Sequence, residues 1–151
     1  YVNWTNVSDG RFKKNVAEDV AGLSFISKLK PVTYTLDLEG IEAFIQPDND
    51  KQGSLDKMPV NKEKEQIRYS GFIAQDVEKA AREVGYDFSG VDAPKNAKDL
   101  YGLRYAEFVV PLVKAVQELN ERNEKQQLEI EELKAKMEIL IRQLAEGKET
   151  H

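Results

Sequence analysis

The 151-residue chain contains no cysteine, and its single histidine is His151, the last residue. Without cysteine, disulfide bonds, thiolate metal sites and a cysteine nucleophile are excluded. A catalytic triad or a zinc site built on histidine is excluded too, because one terminal histidine cannot supply either. The sequence therefore predicts no metal and no cofactor, and any nucleophile has to work without an imidazole base.

Long apolar runs and basic clusters are also missing. No stretch approaches the roughly 20 apolar residues that a membrane-spanning helix needs, and residues 1–10 lack the basic and apolar regions of a signal peptide. The formal net charge is -5, with no cluster of basic residues that could follow a phosphate backbone. We therefore expect neither a membrane nor a nucleic acid as partner.

A first helix and a first strand are predicted ahead of an irregular segment. Apolar residues recur at roughly helical spacing before Pro31, which predicts a helix over about 17–29. Residues 32–36 alternate between apolar and polar side chains, as a half-buried strand does. Segment 38–66 loses this regularity and is rich in turn-forming residues, which predicts a loop or a hairpin excursion.

The next segments predict a second strand at 67–73 and a helix over about 75–84, which Gly85 closes. A short strand is expected at 101–105, directly before a long final helix. The loose alternation at 1–7 is typical of a last strand from a preceding module.

One seven-residue repeat fits residues 109–144 without a break. Its a and d positions, which we call the heptad seam, are Val109, Leu112, Val116, Leu119, Asn123, Gln126, Ile130, Leu133, Met137, Leu140 and Leu144. Such a narrow seam predicts a left-handed supercoil with other copies, and Glu129 with Lys134 is correctly spaced for a pair between parallel chains. The polar layers Asn123 and Gln126 cost stability and fix register and oligomer number. The alternative is a long helix packed back on its own domain.

A hydroxyl and an amine stand close together near the start of the chain. Ser8 precedes Lys13 by five residues. A partly desolvated lysine can lose its proton near neutral pH and then accept one from a serine hydroxyl, so Ser8 would be a nucleophile and Lys13 its base. Asp9 and Arg11 would fix the turn by a charge-assisted bond. The alternative is ordinary helix capping, which Ser-Asp before a helix commonly provides.

Gln75 and Asp76 follow a glycine-containing strand and open the predicted helix at 75–84. In that position they would orient the Ser8 turn or supply an amide donor to an oxyanion. The alternative is that they cap the helix.

The segment Ser8-Asp9-x-Arg11-x-Lys13-x-Asn15-Val16 resembles the opening motif of the endosialidase-type intramolecular chaperone auto-processing domain, which is also found in the myelin regulatory factor. Further blocks are similar to the rest of that family in the same order. These blocks are 29–34, 71–77, 103–105 and 110–119. The resemblance covers nearly the whole chain after Val7.

The resemblance implies a homotrimer that helps upstream β-structured fibre domains of the same polypeptide to register and fold. It implies that the domain is then released by autoproteolysis, with Ser8 as nucleophile and Lys13 as base. The partners are therefore two further copies of the chain and the fibre itself. The implied setting is a tail fibre or tailspike precursor made in the cytoplasm of a bacterial host, or a bacterial surface fibre.

The bond that would be cut stays open between two positions. The Ser8 hydroxyl reaches the carbonyl of Val7 through a five-membered ring, whereas its own carbonyl would demand a strained four-membered one. This geometry favours the Val7-Ser8 bond. The family pattern instead places the cut at Ser8-Asp9, which requires attack by water or by another group.

These observations predict an α+β protein, with a small helix-and-strand globular domain followed by a long C-terminal helix that forms a parallel trimeric coiled coil. We expect the end of an upstream fibre stalk at 1–7, the chaperone and auto-processing domain at 8–106, the coiled-coil helix at 107–146 and a disordered tail at 147–151. Two alternatives are a trimerisation and capping module that does not cut, and an adhesin tip that stays on the fibre.

Overall fold

The computed structural model describes residues 7–45 and 62–146. Its elements in chain order are a 3₁₀ turn at Gly10–Phe12, α1 at Leu23–Ile26, β1 at Val32–Tyr34, α2 at Leu38–Ile45, α3 at Lys62–Glu65, β2 at Tyr69–Gly71, α4 at Ala74–Glu83, β3 at Val91–Asp92, β4 at Gly102–Leu103, a second 3₁₀ turn at Tyr105–Phe108 and α5 at Val109–Glu146. This mixture of helices and short strands confirms the α+β prediction. The strand predicted at 1–7, except for its last residue, and the tail predicted at 147–151 lie outside the described residues.

Two small antiparallel sheets account for the described strands. β1 pairs with β2, in the register Val32 with Gly71 and Tyr34 with Tyr69. The rings of Tyr34 and Tyr69 stack across this pair, with centroids 5.8 Å apart. β3 pairs with β4, where Val91 lies opposite Leu103. The strands predicted at 32–36 and 67–73 are therefore present but shorter, because only Val32–Tyr34 and Tyr69–Gly71 pair.

The first helix is much shorter than the sequence predicts. The prediction of a helix over 17–29 is wrong for most of its length, because α1 spans only Leu23–Ile26. Asn15 has a φ of 53°, in the left-handed region, so the chain after the first 3₁₀ turn does not continue as a helix. The helix begins where the backbone N–H of Leu23 donates to Glu118 Oε2 at 2.8 Å. A contact with α5 sets this start, and local periodicity does not.

The prediction of a loop or hairpin over 38–66 is wrong at both ends. α2 forms at Leu38–Ile45 and α3 at Lys62–Glu65. The carboxylate of Asp37 accepts a hydrogen bond from the backbone N–H of Gly40 at 2.8 Å, which is a standard N-cap contact. Asp37 is therefore the residue from which the start of α2 could have been predicted. The middle of the predicted excursion, at 46–61, lies outside the described residues.

The core lies where α1, α4, the loop after α4 and the second 3₁₀ turn meet. Its enclosed side chains are Phe25, Val77, Ala80, Ala81, Phe88 and Phe108. The ring of Phe88 packs against Phe25 and Phe108, with centroids 4.9 and 4.8 Å away. The helix predicted at 75–84 is confirmed as α4, and Gly85 closes it with a φ of +66°. No helix in the described part of the chain combines the length and the apolar character needed to cross a membrane.

Candidate functional site

The turn that carries Ser8 is closed by short-range backbone hydrogen bonds. Phe12 N donates to Asp9 O at 3.1 Å, and Lys13 N donates to Gly10 O at 3.2 Å. The reversal of the chain brings the Lys13 side chain back to Ser8, where Nζ donates to Oγ at 3.0 Å. The two side chains that the sequence pairs as nucleophile and base are therefore within the distance that proton transfer requires.

The carboxylate of Asp9 is held on both oxygens by Arg11. Oδ1 accepts from the Arg11 backbone N–H at 2.9 Å and from Nε at 3.1 Å, while Oδ2 accepts from Nε at 3.0 Å and from Nη2 at 2.6 Å. The Arg11 guanidinium, followed by its backbone N–H, lowers the pKa of the Asp9 carboxyl. Within residues 7–45 and 62–146, no group of three or more His, Cys, Asp or Glu side chains could hold a metal ion.

The Ser8 turn is open to water in the single chain. Ser8 and Lys13 are both exposed. Apolar side chains around them are exposed as well, at 87% for Val7, 75% for Phe12 and 78% for Val16. Three exposed apolar side chains thus lie within a few residues of the polar pair.

Gln75 and Asp76 lie in the first turn of α4. Gln75 lines a groove with Tyr34 and Tyr105, whereas Asp76 lines a different groove with Lys79. Neither side chain caps α4, whose N-cap residue is Ile73. Across the described ranges, no hydrogen bond joins Gln75 or Asp76 to the turn. The structure therefore brings Ser8, Lys13, Asp9 and Arg11 together, and leaves Gln75 and Asp76 apart from them.

The long helix α5 presents two different faces over its first turns. Pro111 and Ala115 are buried, and α5 packs there against α1. The apolar residues of the heptad seam lie on another face and are between 45% and 67% exposed. From 119 to 145 every side chain is exposed. The helix thus packs on its own domain only at its start, and does so without using the heptad seam.

Glu118 links α5 to the segment that follows the Ser8 turn, and the sequence did not reveal this role. Its carboxylate accepts from Leu23 N, 95 residues earlier in the chain. Gly22 fits against the same place, since a Cβ there would lie 2.9 Å from Ala115 N and from the Glu118 carboxyl group. No local pattern marks a contact over such a separation.

The fold and these surfaces define a class of protein: a small α+β domain with a serine and lysine in contact at its start and an uncovered helix seam at its end. A family model described as chaperone of endosialidase, the Peptidase S74 family, matches residues 8–86, which is more than half of the chain. The chain therefore belongs to the chaperone of endosialidase family, and the resemblance seen in its motifs is confirmed. Comparisons with curated proteins and with solved structures give no match.

Proposed function

We propose that the chain assembles as a parallel homotrimer through α5, aligns the upstream fibre domains of the same polypeptide and then releases itself by autoproteolysis at Ser8. The observation that carries this proposal is the 3.0 Å hydrogen bond between Lys13 Nζ and Ser8 Oγ. The family match supports it, because it starts at Ser8 and belongs to a peptidase family described as a chaperone.

Assembly is supported by the exposed heptad seam. An apolar stripe of this length on an isolated helix is costly in water, and copies of the same helix cover it by knobs-into-holes packing. Interwound β-fibres have many contacts between distant residues and weakly specified register, so they fold slowly. A trimeric domain at one end of the fibre aligns the three chains and raises their local concentration. Later removal of this domain makes folding of the fibre kinetically irreversible.

The chemistry follows from the Ser8 turn. Neutral Lys13 accepts the proton of the Ser8 hydroxyl, and Oγ attacks the carbonyl carbon of Val7. The Val7-Ser8 C–N bond breaks as the Ser8 nitrogen takes the proton from Lys13, which leaves an ester between Val7 and the Ser8 oxygen. Water then hydrolyses the ester to a Val7 carboxyl group and a free Ser8 hydroxyl. A cut at Ser8-Asp9 would instead use water as the nucleophile, and would leave Ser8 at the new C-terminus.

Assembly would promote cutting by excluding water from Lys13. A lysine amine becomes a base when it is desolvated, and Lys13 is exposed in the single chain. The exposed apolar residues Val7, Phe12 and Val16 surround the turn, and a neighbouring copy that covers them would exclude water from Lys13. We therefore expect cutting to follow trimerisation.

The exposure of Ser8 and Lys13 also favours a second candidate function. In this alternative the domain trimerises and caps a fibre but does not cut, because Lys13 stays exposed to water and does not act as a base. The two functions differ only in the covalent outcome at Ser8.

The test is intact-mass analysis of the 151-residue chain during incubation, alongside its oligomeric state by analytical ultracentrifugation. Wild type is expected to be trimeric and to lose residues 1–7 or 1–8, and the fragment mass identifies the bond. Ser8→Ala and Lys13→Ala should stay full length at unchanged oligomeric state. Lys14→Ala is the matched control and should be cut as wild type is. A trimeric wild type that stays intact would exclude the protease function and leave the capping module.

A further inference from the structure

Asp9 poses an electrostatic problem for the proposed site. It adjoins Ser8 and is the acidic residue nearest in sequence to Lys13. A carboxylate near a lysine ammonium favours the charged, protonated amine, which cannot accept a proton from serine. An Asp9 carboxylate with no other partner would therefore favour the protonated form of Lys13, which cannot act as a base.

The structure gives that carboxylate another partner. Both Asp9 oxygens accept hydrogen bonds from Arg11, the closest at 2.6 Å from Nη2. The planar guanidinium occupies the two oxygens together, which the point charge of a lysine cannot do. Lys13 Nζ contacts the Ser8 hydroxyl and forms no ion pair with any described residue.

We propose that Arg11 is a positioning residue for the Ser8 site: by holding both oxygens of Asp9, it keeps this carboxylate from pairing with Lys13 and leaves the amine free to act on Ser8. The proposal rests on the proposed function. The same two residues also shape the turn, because Asp9 Oδ1 accepts from the Arg11 backbone N–H at 2.9 Å.

The charged residues nearest to Lys13 in sequence are Asp9, Arg11, Lys14, Glu18 and Asp19. In the described part of the chain, no ion pair or side-chain hydrogen bond joins the turn to another element. Asp9 is the nearest of the three carboxylates in sequence and belongs to the same hydrogen-bonded turn as Lys13, so we expect its release to have the largest effect on Lys13.

The first experiment is the rate of self-cutting as a function of pH for wild type, Arg11→Gln and the double variant Asp9→Asn/Arg11→Gln. In Arg11→Gln the midpoint of the rising limb should move to higher pH, because a released Asp9 carboxylate favours the charged amine at Lys13. The double variant should return to the wild-type midpoint, since the uncharged amide at position 9 still caps the turn. Arg142→Gln removes an exposed arginine far along α5 and should leave the profile unchanged.

The second experiment follows the protonation of Lys13 directly, by NMR of lysine-labelled protein in the Ser8→Ala background. This measurement needs no cutting, so it decides the role of Arg11 even if the protease function fails. The midpoint should rise when Arg11→Gln is added and fall back in the double variant. If Arg11→Gln slows cutting equally at every pH and leaves the Lys13 midpoint in place, Arg11 only shapes the turn and the proposal is overturned. Failure of the double variant to restore the midpoint would overturn it too.

Discussion

The Ser8 turn and the core of the domain are held together in different ways. The side-chain hydrogen bonds of the turn join residues two to five positions apart, and its polar groups are exposed. The core is made of aromatic and small side chains from distant segments, and Glu118 of α5 accepts a hydrogen bond from α1, 95 residues earlier in the chain. The turn is therefore held by local contacts, whereas the core depends on contacts between distant segments. Under the proposed function, a pair brought together by local contacts needs a further step to become active, and covering by other copies would supply that step.

The largest expected effect comes from the core. Phe25 is fully buried and touches the rings of Tyr86 and Phe88, so Phe25→Ala leaves a cavity and should lower the free energy of unfolding by about 3–5 kcal/mol. Urea unfolding measures this change. Lys14→Ala is the control on the turn, where the exposed side chain should contribute within about 0.5 kcal/mol. Equal losses from the two variants would contradict the contrast between core and turn.

A smaller effect is expected at the hydrogen bond between α1 and α5. Glu118→Ala removes the acceptor of Leu23 N and should cost about 1–2 kcal/mol of unfolding free energy, because a part-buried N–H loses its partner. Glu118→Gln keeps an oxygen in place and should recover most of the loss. Glu121→Ala, one turn further along α5 and exposed, serves as the control in the same thermal and urea titrations. Loss of stability in Glu121→Ala as large as in Glu118→Ala would argue against a specific link.

The smallest effect concerns alkaline pH. Burial raises the pKa of Tyr86 above its ordinary value of 10.0, and the charges of Asp19 and Glu107 add to the rise. The Tyr86 hydroxyl stays protonated to a higher pH in the folded chain than in the unfolded one. Its contribution to the free energy of unfolding is therefore fully present below pH 10.0 and is lost as pH rises through the folded pKa. Between neutral pH and about pH 11, the free energy of unfolding should therefore fall less in Tyr86→Phe than in wild type. The two losses should differ by less than about 1 kcal/mol. Parallel pH profiles of the urea midpoint for the two proteins would contradict this assignment.

Elements with strong local signals were predicted well. The heptad repeat over 109–144 predicts the long helix, and α5 spans Val109–Glu146. The helix at 75–84 was predicted from its periodicity and from Gly85, whose positive φ ends it. The spacing of Ser8 and Lys13 predicted a pair, and one 3₁₀ turn is enough to bring them into contact. In each case the deciding interactions lie within a few residues of one another.

The errors arose where distant contacts decide the structure. The spacing of apolar residues over 17–29 is compatible with a helix, but only four residues become helical, where Glu118 of α5 accepts a hydrogen bond from the first N–H. The possible roles of Gln75 and Asp76 at the Ser8 turn, for which helix capping was the alternative, stay predictions. Whether these side chains reach the turn depends on how α4 packs in the core, which no local pattern records.

The sequence by itself determined which chemistry is absent, the register of the heptad seam and the local turn that pairs Ser8 with Lys13. These features depend on residue types and on short spacings, which are visible in any window of the chain. The tertiary structure alone decided that α5 packs on its own domain through Pro111 and Ala115, leaving the heptad seam exposed. It also decided that Glu118 starts α1. Such contacts join segments that are far apart in the chain, so they form only when the whole domain packs.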